Sequence, residues 1–470
     1  MNMNYDDILD LEPVKVLACL AGKEAKLFLA GGFLRDKLCA KESFDMDFIV
    51  QGQNALELAE KFAQKIGGSF VLLDKDYEIA RVVADDKLHY FDFARCLGDD
   101  IEKDLKRRDL TVNSIALEIF PSVKLYDINK GIEDFHDKKI KVISEQNIID
   151  DPLRILRVFR FAVQLGFKID PETLKYAKKH LDLIDSVSKE RILAEFLKLL
   201  EAKNSAKYVE FMYDIGLLYK ILPILEIEEG IPPNSHHHLD LIHHSMETLR
   251  QAEYLIEEMP EWVSARFDEN FNHALKVSSL FKVACLLHDI GKRETWTIEE
   301  NGRHRFINHD EVGAMLLKPV LKQLKFSKAQ TAYVTKLVRY HIYPSQLTRS
   351  EEAASQKAIN RMFRKLDNET IDVIILAMAD RFSALGPEIT KQISEDNFNA
   401  LTIFLNQYKA FAQTKEPLPK LLDGNEIAEF LNIPRGKELG RIIKELQEAQ
   451  ACGEVLSKKD ALNFLKNIVN

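Results

Sequence analysis

"FDMDFIV", Phe44 to Val50, places two carboxylates two positions apart inside an apolar run. A strand has a side-chain period of two, so Asp45 and Asp47 project from one face while Phe44, Met46 and Phe48 take the other. Like charges about 4 Å apart repel by roughly 4 kcal/mol at the effective dielectric of a protein surface. A divalent cation reverses that sign, and magnesium takes carboxylate oxygens together with substrate phosphates. A solvated strand face gives the same alternation, so the flanking sequence has to decide.

KLFLA, ahead of Gly31, reads as a strand and FLRDKLC, after Gly32, as a helix, which makes Gly31-Gly32 a strand-to-helix turn. Glycines there leave backbone N–H groups open to a phosphate, although most glycine pairs are only turns. In LHYFDFAR the apolar run is broken once, by Asp92, a third carboxylate on a neighbouring strand. DLKRRDLTVNSIA then sets Arg107 and Arg108 ahead of an expected helix that Asp109 or Thr111 caps.

A chain of 470 residues, 46% hydrophobic and 30% charged, fits two to four domains. No apolar run approaches bilayer length, and the start MNMNYDDILD has neither the basic nor the apolar region of a signal peptide, so no membrane span and a cytoplasmic location are expected. Five dispersed cysteines without a C-x-x-C pair argue against a disulfide framework and a thiolate zinc site. At a net charge of −9, contact with nucleic acid rests on local basic patches such as KDLKRR (Lys103 to Arg108) and DKKIK (Asp137 to Lys141), which are equally consistent with solvated faces. Residues 1–137 mix strands and helices in an α+β pattern, and beyond them apolar residues recur at helical spacing. Proline-containing breaks, EEGIPPNSHHH and QTKEPLPK, divide the helical part into 138–227, 228–412 and 413–470.

LAGGFLRDKL, FDMDFIV, DLKRRDLTVNSIA, LYDINKGIEDF and DPLRILRVFRFAVQLGF follow one another between Leu29 and Phe167. In this order they resemble the bacterial class II tRNA nucleotidyltransferases, or CCA-adding enzymes, and the poly(A) polymerases that share their catalytic head. The resemblance implies a polymerase-β-like head in which Asp45 and Asp47 hold Mg2+, with Asp92 as the third carboxylate. It also implies Gly31, Gly32 and Arg35 along the incoming triphosphate, and Arg108, Asp109 and Asn113 around the ribose and phosphates. The activity implied is transfer of CMP and AMP from CTP and ATP to the 3′ end of tRNA without a nucleic-acid template. A poly(A) polymerase and an enzyme confined to the CC or the A step share these motifs. A flexible segment around Asp74 to Ala80 and the RNA-binding shape of the helical body are expected to separate them.

In IDDPLRILRVFRF, Asp151 and Arg154 are three apart and so neighbours on one helix side. Cytosine and adenine both present an amino donor beside a ring-nitrogen acceptor, and guanine and uracil the reverse. A carboxylate accepts and a guanidinium donates, so an Asp–Arg pair fits the first two bases. The resemblance gives this duty to Asp150, Asp151 and Arg154, although the family often has glutamate and alanine in place of Asp150 and Pro152. In a competing reading Pro152 opens the helix and Asp151 is a plain N-cap. Arg157 and Arg160 continue along the helix, toward nucleotide or RNA phosphate or toward surface ion pairs.

Ten of the thirteen histidines lie between His236 and His341. HHLDLIHHSMETL, ACLLHDIGKRETW, FINHDEVGA, VRYHIYP and LAMADRF each supply His or Asp in a helical context, a donor set suited to a transition-metal or binuclear site. The pattern resembles an HD domain, a metal-dependent phosphohydrolase module, with His244, His288, Asp289 and Asp380 as core ligands and His309 and His341 as the extra histidines of binuclear members. Mn2+, Ni2+, Co2+ or Fe2+ is the implied metal. A relic domain kept for packing is the alternative, and His236 to His238 receive no role. The last segment resembles the family's helical C-terminal part. A reading of another class is an HD phosphohydrolase whose head only binds RNA.

Overall fold

The computed structural model describes residues 5–39, 43–233, 238–272, 275–348, 355–386, 390–413, 420–451 and 455–469. His236, His237, Cys452 and most of the QTKEPLPK break lie outside them. The chain divides into two compact units, Met1–Leu199 with Ile215–Leu217, and Leu200–Asp214 with Leu218–Asn470.

The first unit carries the strands read from the sequence. They are β1 (Lys26–Ala30), β2 (Asp45–Gln51), β3 (Ser69–Asp74), β4 (Ile79–Val83), β5 (Tyr90–Arg95), β6 (Ala116–Phe120) and β7 (Lys124–Tyr126), in the order β3-β4-β5-β2-β1-β6-β7. β2 and β5 run parallel, with Asp47 opposite Asp92, and their other neighbours are antiparallel. The helices are α1 (Tyr5–Leu9), α2 (Glu12–Leu20), α3 (Gly32–Leu38), α4 (Ala55–Ile66), α5 (Ile101–Lys106) and α6 (Gly131–His136).

Period two sorts the sheet into two faces. Leu27, Leu29, Phe48, Val50, Val82 and Phe93 pack with Leu17 of α2 and with Leu58 and Phe62 of α4. Phe62 meets the rings of Phe91 and Phe93 at 5.1 and 5.5 Å, and removing a ring of this kind from a core costs about 3–5 kcal/mol. α4 is held at its start by Asn54, whose side chain accepts from Glu57 N, and ends at Gly67 in the left-handed region. On the opposite face Phe28, Ala30 and Ile49 pack with Ile101 and Leu105 of α5. Asp45 and Asp47 share that second face with Ile49. Phe44 departs from the reading. It precedes β2, is 45% exposed, and stacks edge-on with His89.

The helix expected after Arg108 is replaced by one 3-10 turn, Thr111–Asn113, without a side-chain cap, and the chain then enters β6. The apolar run Ile115–Ile119 is taken up by pairing with β1, and the Asp109 carboxylate is used elsewhere. α7 (Glu145–Asp150) and α8 (Leu153–Leu165) follow, braced by the short parallel pair β8 (Lys139–Ile140) and β9 (Lys168–Ile169).

The second unit is mostly helical. Asp240 caps the helix Leu241–Glu258 by accepting from His243 N, and that helix packs on Val277–Leu287 and Thr370–Ser383. Those two partners are buried almost all round, as their continuous apolar character requires. Asp372, wholly buried within Thr370–Ser383, is satisfied by Arg266 Nε and Nη2, both at 3.0 Å, and by the Tyr333 hydroxyl at 2.7 Å. Small hairpins, Asn270–Asn272 with Leu275–Lys276 and Trp296–Ile298 with His304–Phe306, interrupt the helices where the sequence showed no strand. Leu422, Ile427, Ile442, Leu446, Ala461 and Leu465 form a separate small core near the C-terminus. Among the described residues no helix is long and apolar enough to cross a membrane.

Candidate active site and metal centre

The acidic face of the head is built by register. Asp45 and Asp47 stand on β2 and Asp92 stands beside Asp47 on β5. Burial raises the carboxyl pKa values of Asp45 and Asp47 above the ordinary value, Asp92 adds to the rise, and Arg81 and Arg108 oppose it. Protons are thus held more tightly in a cluster that lacks a full counter-charge. Arg81, opposite Asp92 on β4, donates Nε to Oδ1 and Nη2 to Oδ2, each at 2.7 Å. Gly31 lies against the same cluster with φ +76°. A Cβ there would come within 2.6 Å of Asp47 Oδ2 and 3.0 Å of Arg108 Nη1. The turn therefore demands glycine for both its conformation and its close approach.

From this cluster a chain of polar contacts runs to α8. Arg35 Nη1 donates to Asn113 Oδ1 at 2.5 Å, and Asn113 Nδ2 donates to Asp109 Oδ1 at 3.2 Å. Asp109 Oδ2 accepts from Arg157 Nε and Nη2 at 2.8 and 2.6 Å. Arg157 and Arg160 both pair with Glu195. Although burial alone would raise the Asp109 pKa, Arg157 and the other donors hold it below the usual carboxylate value. The guanidinium groups of Arg35, Arg157 and Arg160 all lie over the Phe161 ring. Asp109 and Arg157 are therefore part of the frame that holds Arg35 and Asn113 in place.

Asp151 and Arg154, read as neighbours on one helix side, are split by the break between α7 and α8 and hold separate partners. Arg154 Nη1 donates to Asn147 O at 2.9 Å and Nη2 to Arg107 O at 2.6 Å, while Asp151 Oδ2 accepts from Arg191 at 2.8 Å. Asp151 is the residue closing α7, and Pro152 sits at the N-cap of α8 without a side-chain bond. The N-cap reading of Asp151 fails for the same reason, since its carboxylate faces Arg191. Asp150 accepts from Gln146 Nε2. The segment around Asp74 to Ala80 is a four-residue hairpin turn, Lys75–Glu78, in which Asp74 Oδ1 accepts from the N–H groups of Asp76 and Tyr77.

In the second unit six side chains converge. His244, His288, Asp289 and Asp380 form one group, and Asp289, His309 and His341 a second, with the ligand atoms of each group within 4.8 Å of one another. Asp289 belongs to both. Its Oδ2 lies 3.3 Å from His244 Nε2 and 3.2 Å from His288 Nε2, and its Oδ1 lies 3.3 Å from His309 Nε2 and 3.6 Å from His341 Nε2. The other ring nitrogens are all engaged: Nδ1 of His288, His309 and His341 meets the carbonyls of Cys285, Phe306 and Val338, and Nδ1 of His244 meets Ser383 Oγ. Such outer contacts fix the rings and aim Nε2 inward, as in metal sites. Imidazoles and carboxylates without a thiolate fit a divalent transition ion. Burial works to lower the His288 pKa, but Asp289 and Asp380 outweigh it and push it up to about 10. Gly291 lets the His288 segment reach the helix His309–Gln323, since a Cβ there would fall 2.0 Å from His309 O. A cavity of about 680 Å³ opens beside the cluster, lined by Lys292, Arg303, Arg305, Arg339 and Arg381 among others.

Family models match as "Poly A polymerase head domain" at residues 27–141, "Probable RNA and SrmB- binding site of polymerase A" at 166–228 and "HD domain" at 241–385. An A-adding tRNA nucleotidyltransferase of Deinococcus radiodurans is 31% identical over 93% of this chain and 94% of its own length. A CC-adding tRNA nucleotidyltransferase of Thermus thermophilus is 30% identical over 93% of this chain and 92% of its own. The chain belongs to the tRNA nucleotidyltransferase family. It is an enzyme with a mixed-sheet head, a helical body and an HD domain, and the head and the HD domain imply use of divalent metal. The Thermotoga maritima CCA-adding enzyme in complex with tRNA shares the fold, with a TM-score of 0.58 at 20% identity over 100% of this chain and 97% of that one.

Several residues of this tRNA nucleotidyltransferase escape a reading of the sequence. Arg81 is a lone arginine in IARVV, and only strand register sets it against Asp92. Asn147 gives both Nδ2 hydrogens to the carbonyls of Lys106 and Arg108, fixing the RRD segment, yet an asparagine in a first helical turn carries no such signal. Lys292, 2.5 Å from Asp289 Oδ2, is brought there by the turn His288–Gly291, whose fold the sequence does not announce.

Proposed function

We propose that this enzyme adds CMP and AMP to the 3′ end of tRNA from CTP and ATP, and that its HD domain hydrolyses a phosphate ester. The observation that supports the first part is the set of Asp45, Asp47 and Asp92 on one sheet face with Gly31 pressed against it. In this reading Asp45 and Asp47 hold Mg2+, with Asp92 completing the set, and the bound metal neutralises phosphate charge during transfer. Gly31, Gly32, Arg35 and Arg108 line the triphosphate, and Asn113 and Asp109 keep Arg35 aligned with it. Asp150, Asp151 and Arg154 present acceptors and a donor to the base edge, which requires Arg154 to leave one of its two carbonyl partners. His244, His288, Asp289 and Asp380, with His309 and His341, hold Mn2+, Ni2+, Co2+ or Fe2+, and the arginines of the adjoining cavity bind the phosphate. The corresponding divisions are the head 1–137, the neck 138–227, the HD domain 228–412 and the C-terminal segment 413–470, in a cytoplasmic enzyme.

A second reading has support of its own. The two relatives described above are named for a single step, A addition or CC addition, and the segment between β3 and β4 is a short turn. The test is incubation with tRNA lacking its terminal nucleotides, each triphosphate alone and all together, followed by sequencing of the ends. CCA and nothing longer is expected. C alone or A alone identifies the one-step enzyme, and a long A tail a poly(A) polymerase. Metal-dependent hydrolysis with no incorporation at all overturns the assignment of the head.

A further inference from the structure

We propose that a small pocket beside the carboxylates receives the last nucleotide of the RNA that is being extended, with Tyr77 as its stacking platform. This rests on the reading of the head as a nucleotidyltransferase and names a subsite for its acceptor.

The sheet order supplies the argument. Gly31 and Arg35, assigned to the triphosphate, lie at the end of β1 and on α3, on one side of β2. In-line displacement requires the attacking hydroxyl to approach from the side opposite the leaving pyrophosphate. That side is β5 and β4. The face carrying Asp92 continues there: Arg81 pairs with Asp92 across the strands, and Ile79 and Ala94, two residues further along each strand, point the same way. Two residues of strand span roughly 7 Å. At that distance lies a pocket of about 230 Å³ lined by Tyr77, Ile79, Ala94, Arg95, Leu97 and Arg107.

Its chemistry suits a single unpaired nucleotide. Ile79, Ala94 and Leu97 form an apolar floor for a base. Tyr77, held at the hairpin turn by the Asp74 side chain, is 58% exposed and offers a ring at the rim. Arg95 and Arg107 frame the opening, each steadied by one carboxylate, Glu78 at 3.1 Å and Asp104 at 3.1 Å, and each with nitrogens left for a phosphate oxygen. The carbonyl of Arg107 also accepts from Arg154 Nη2, so the acceptor pocket and the helix assigned to the incoming base share one residue. A base on an aromatic ring beside a basic rim is the usual mode for single-stranded RNA.

The experiment uses the full-length enzyme and tRNA whose 3′-terminal nucleotide carries 2-aminopurine. Binding without triphosphate is expected to quench the fluorophore with the wild type and with Tyr77→Phe, but not with Tyr77→Ala. In steady-state addition Tyr77→Ala is expected to raise KM for tRNA by about five- to tenfold, the lower end of what stacking one base contributes, with KM for CTP and ATP within twofold. Loss of quenching with Tyr77→Phe, an unquenched wild-type complex, or a rise in KM for the triphosphates alone overturns the proposal. Wild-type enzyme that binds and quenches the tRNA but adds no nucleotide overturns the function of the head and leaves the subsite standing.

Discussion

Arg81 shows how the acidic cluster is kept orderly before substrate arrives. Its guanidinium holds both oxygens of Asp92, a fork geometry that lysine cannot reproduce. Arg81→Ala is expected to lower kcat for nucleotide addition roughly a hundredfold, the usual penalty for an ångström of misplacement, with KM for CTP nearly unchanged, and Arg81→Lys should not restore it. Equal loss in KM would show that Arg81 binds the triphosphate directly. His288 supplies a second test. With its pKa pushed up to about 10 it is protonated at pH 7, so a metal ion at Nε2 must release that proton. Calorimetric titration of the metal-free enzyme with Mn2+ in buffers of different ionisation enthalpy should report net proton release at pH 7, with apparent affinity increasing as pH rises. No proton release would place the metal elsewhere. The carboxylates were legible because two acids at period two inside an apolar run carry a repulsion that a strand core does not otherwise bear. Arg81 was not, because its meaning depends on a strand partner eleven residues away.

At the scale of elements, α8 does more than carry a base-reading pair. Its Arg157 and Arg160 form a mostly buried network with Asp109 and Glu195, and breaking one partner of such a network costs about 3 kcal/mol or more. Asp109→Ala is therefore expected to lower the denaturant midpoint of the first unit as well as activity, whereas Asp151→Ala, whose carboxylate pairs with a half-exposed Arg191, should leave stability within about 1 kcal/mol. The Asp109 carboxyl is depressed in the folded chain, so its contribution is present above the unfolded pKa of about 3.9 and is lost as pH falls through the lower folded value. Wild type and Asp109→Asn should thus differ in stability at neutral pH and converge in acid, and a constant difference would contradict the ion-pair account. The sequence located α8 and its arginines through helical spacing. It could not reveal that Arg157 is spent on Asp109, because that contact spans 48 residues and depends on how α8 meets the turn at Thr111–Asn113. The same limit explains the false helix after Arg108: cap residues were present, but the apolar run behind them had a strand to pair with.

For the whole molecule, the catalytic carboxylates and the histidine cluster belong to different compact units, each with its own core. Changes at sites with no shared partners are expected to add independently. Gly291→Ala, which drives a Cβ into His309 O, should abolish transition-metal binding in the second unit, measured by metal analysis after dialysis, and leave nucleotide addition intact. Loss of both together would mean that the units fold or act as one. The division into a mixed-sheet head and a helical remainder was readable from the change in apolar period, but the small hairpins among the helices were too short to carry a period at all. What unites the account is the claim that Asp45 and Asp47 are metal ligands for nucleotide transfer. The most direct measurement is single-turnover addition of labelled CMP and AMP to tRNA lacking its terminal nucleotides, comparing wild type with Asp45→Ala/Asp47→Ala at saturating Mg2+. The account predicts that incorporation by the double variant disappears while its fold and any phosphohydrolase activity persist, and incorporation at a rate near that of wild type would contradict it.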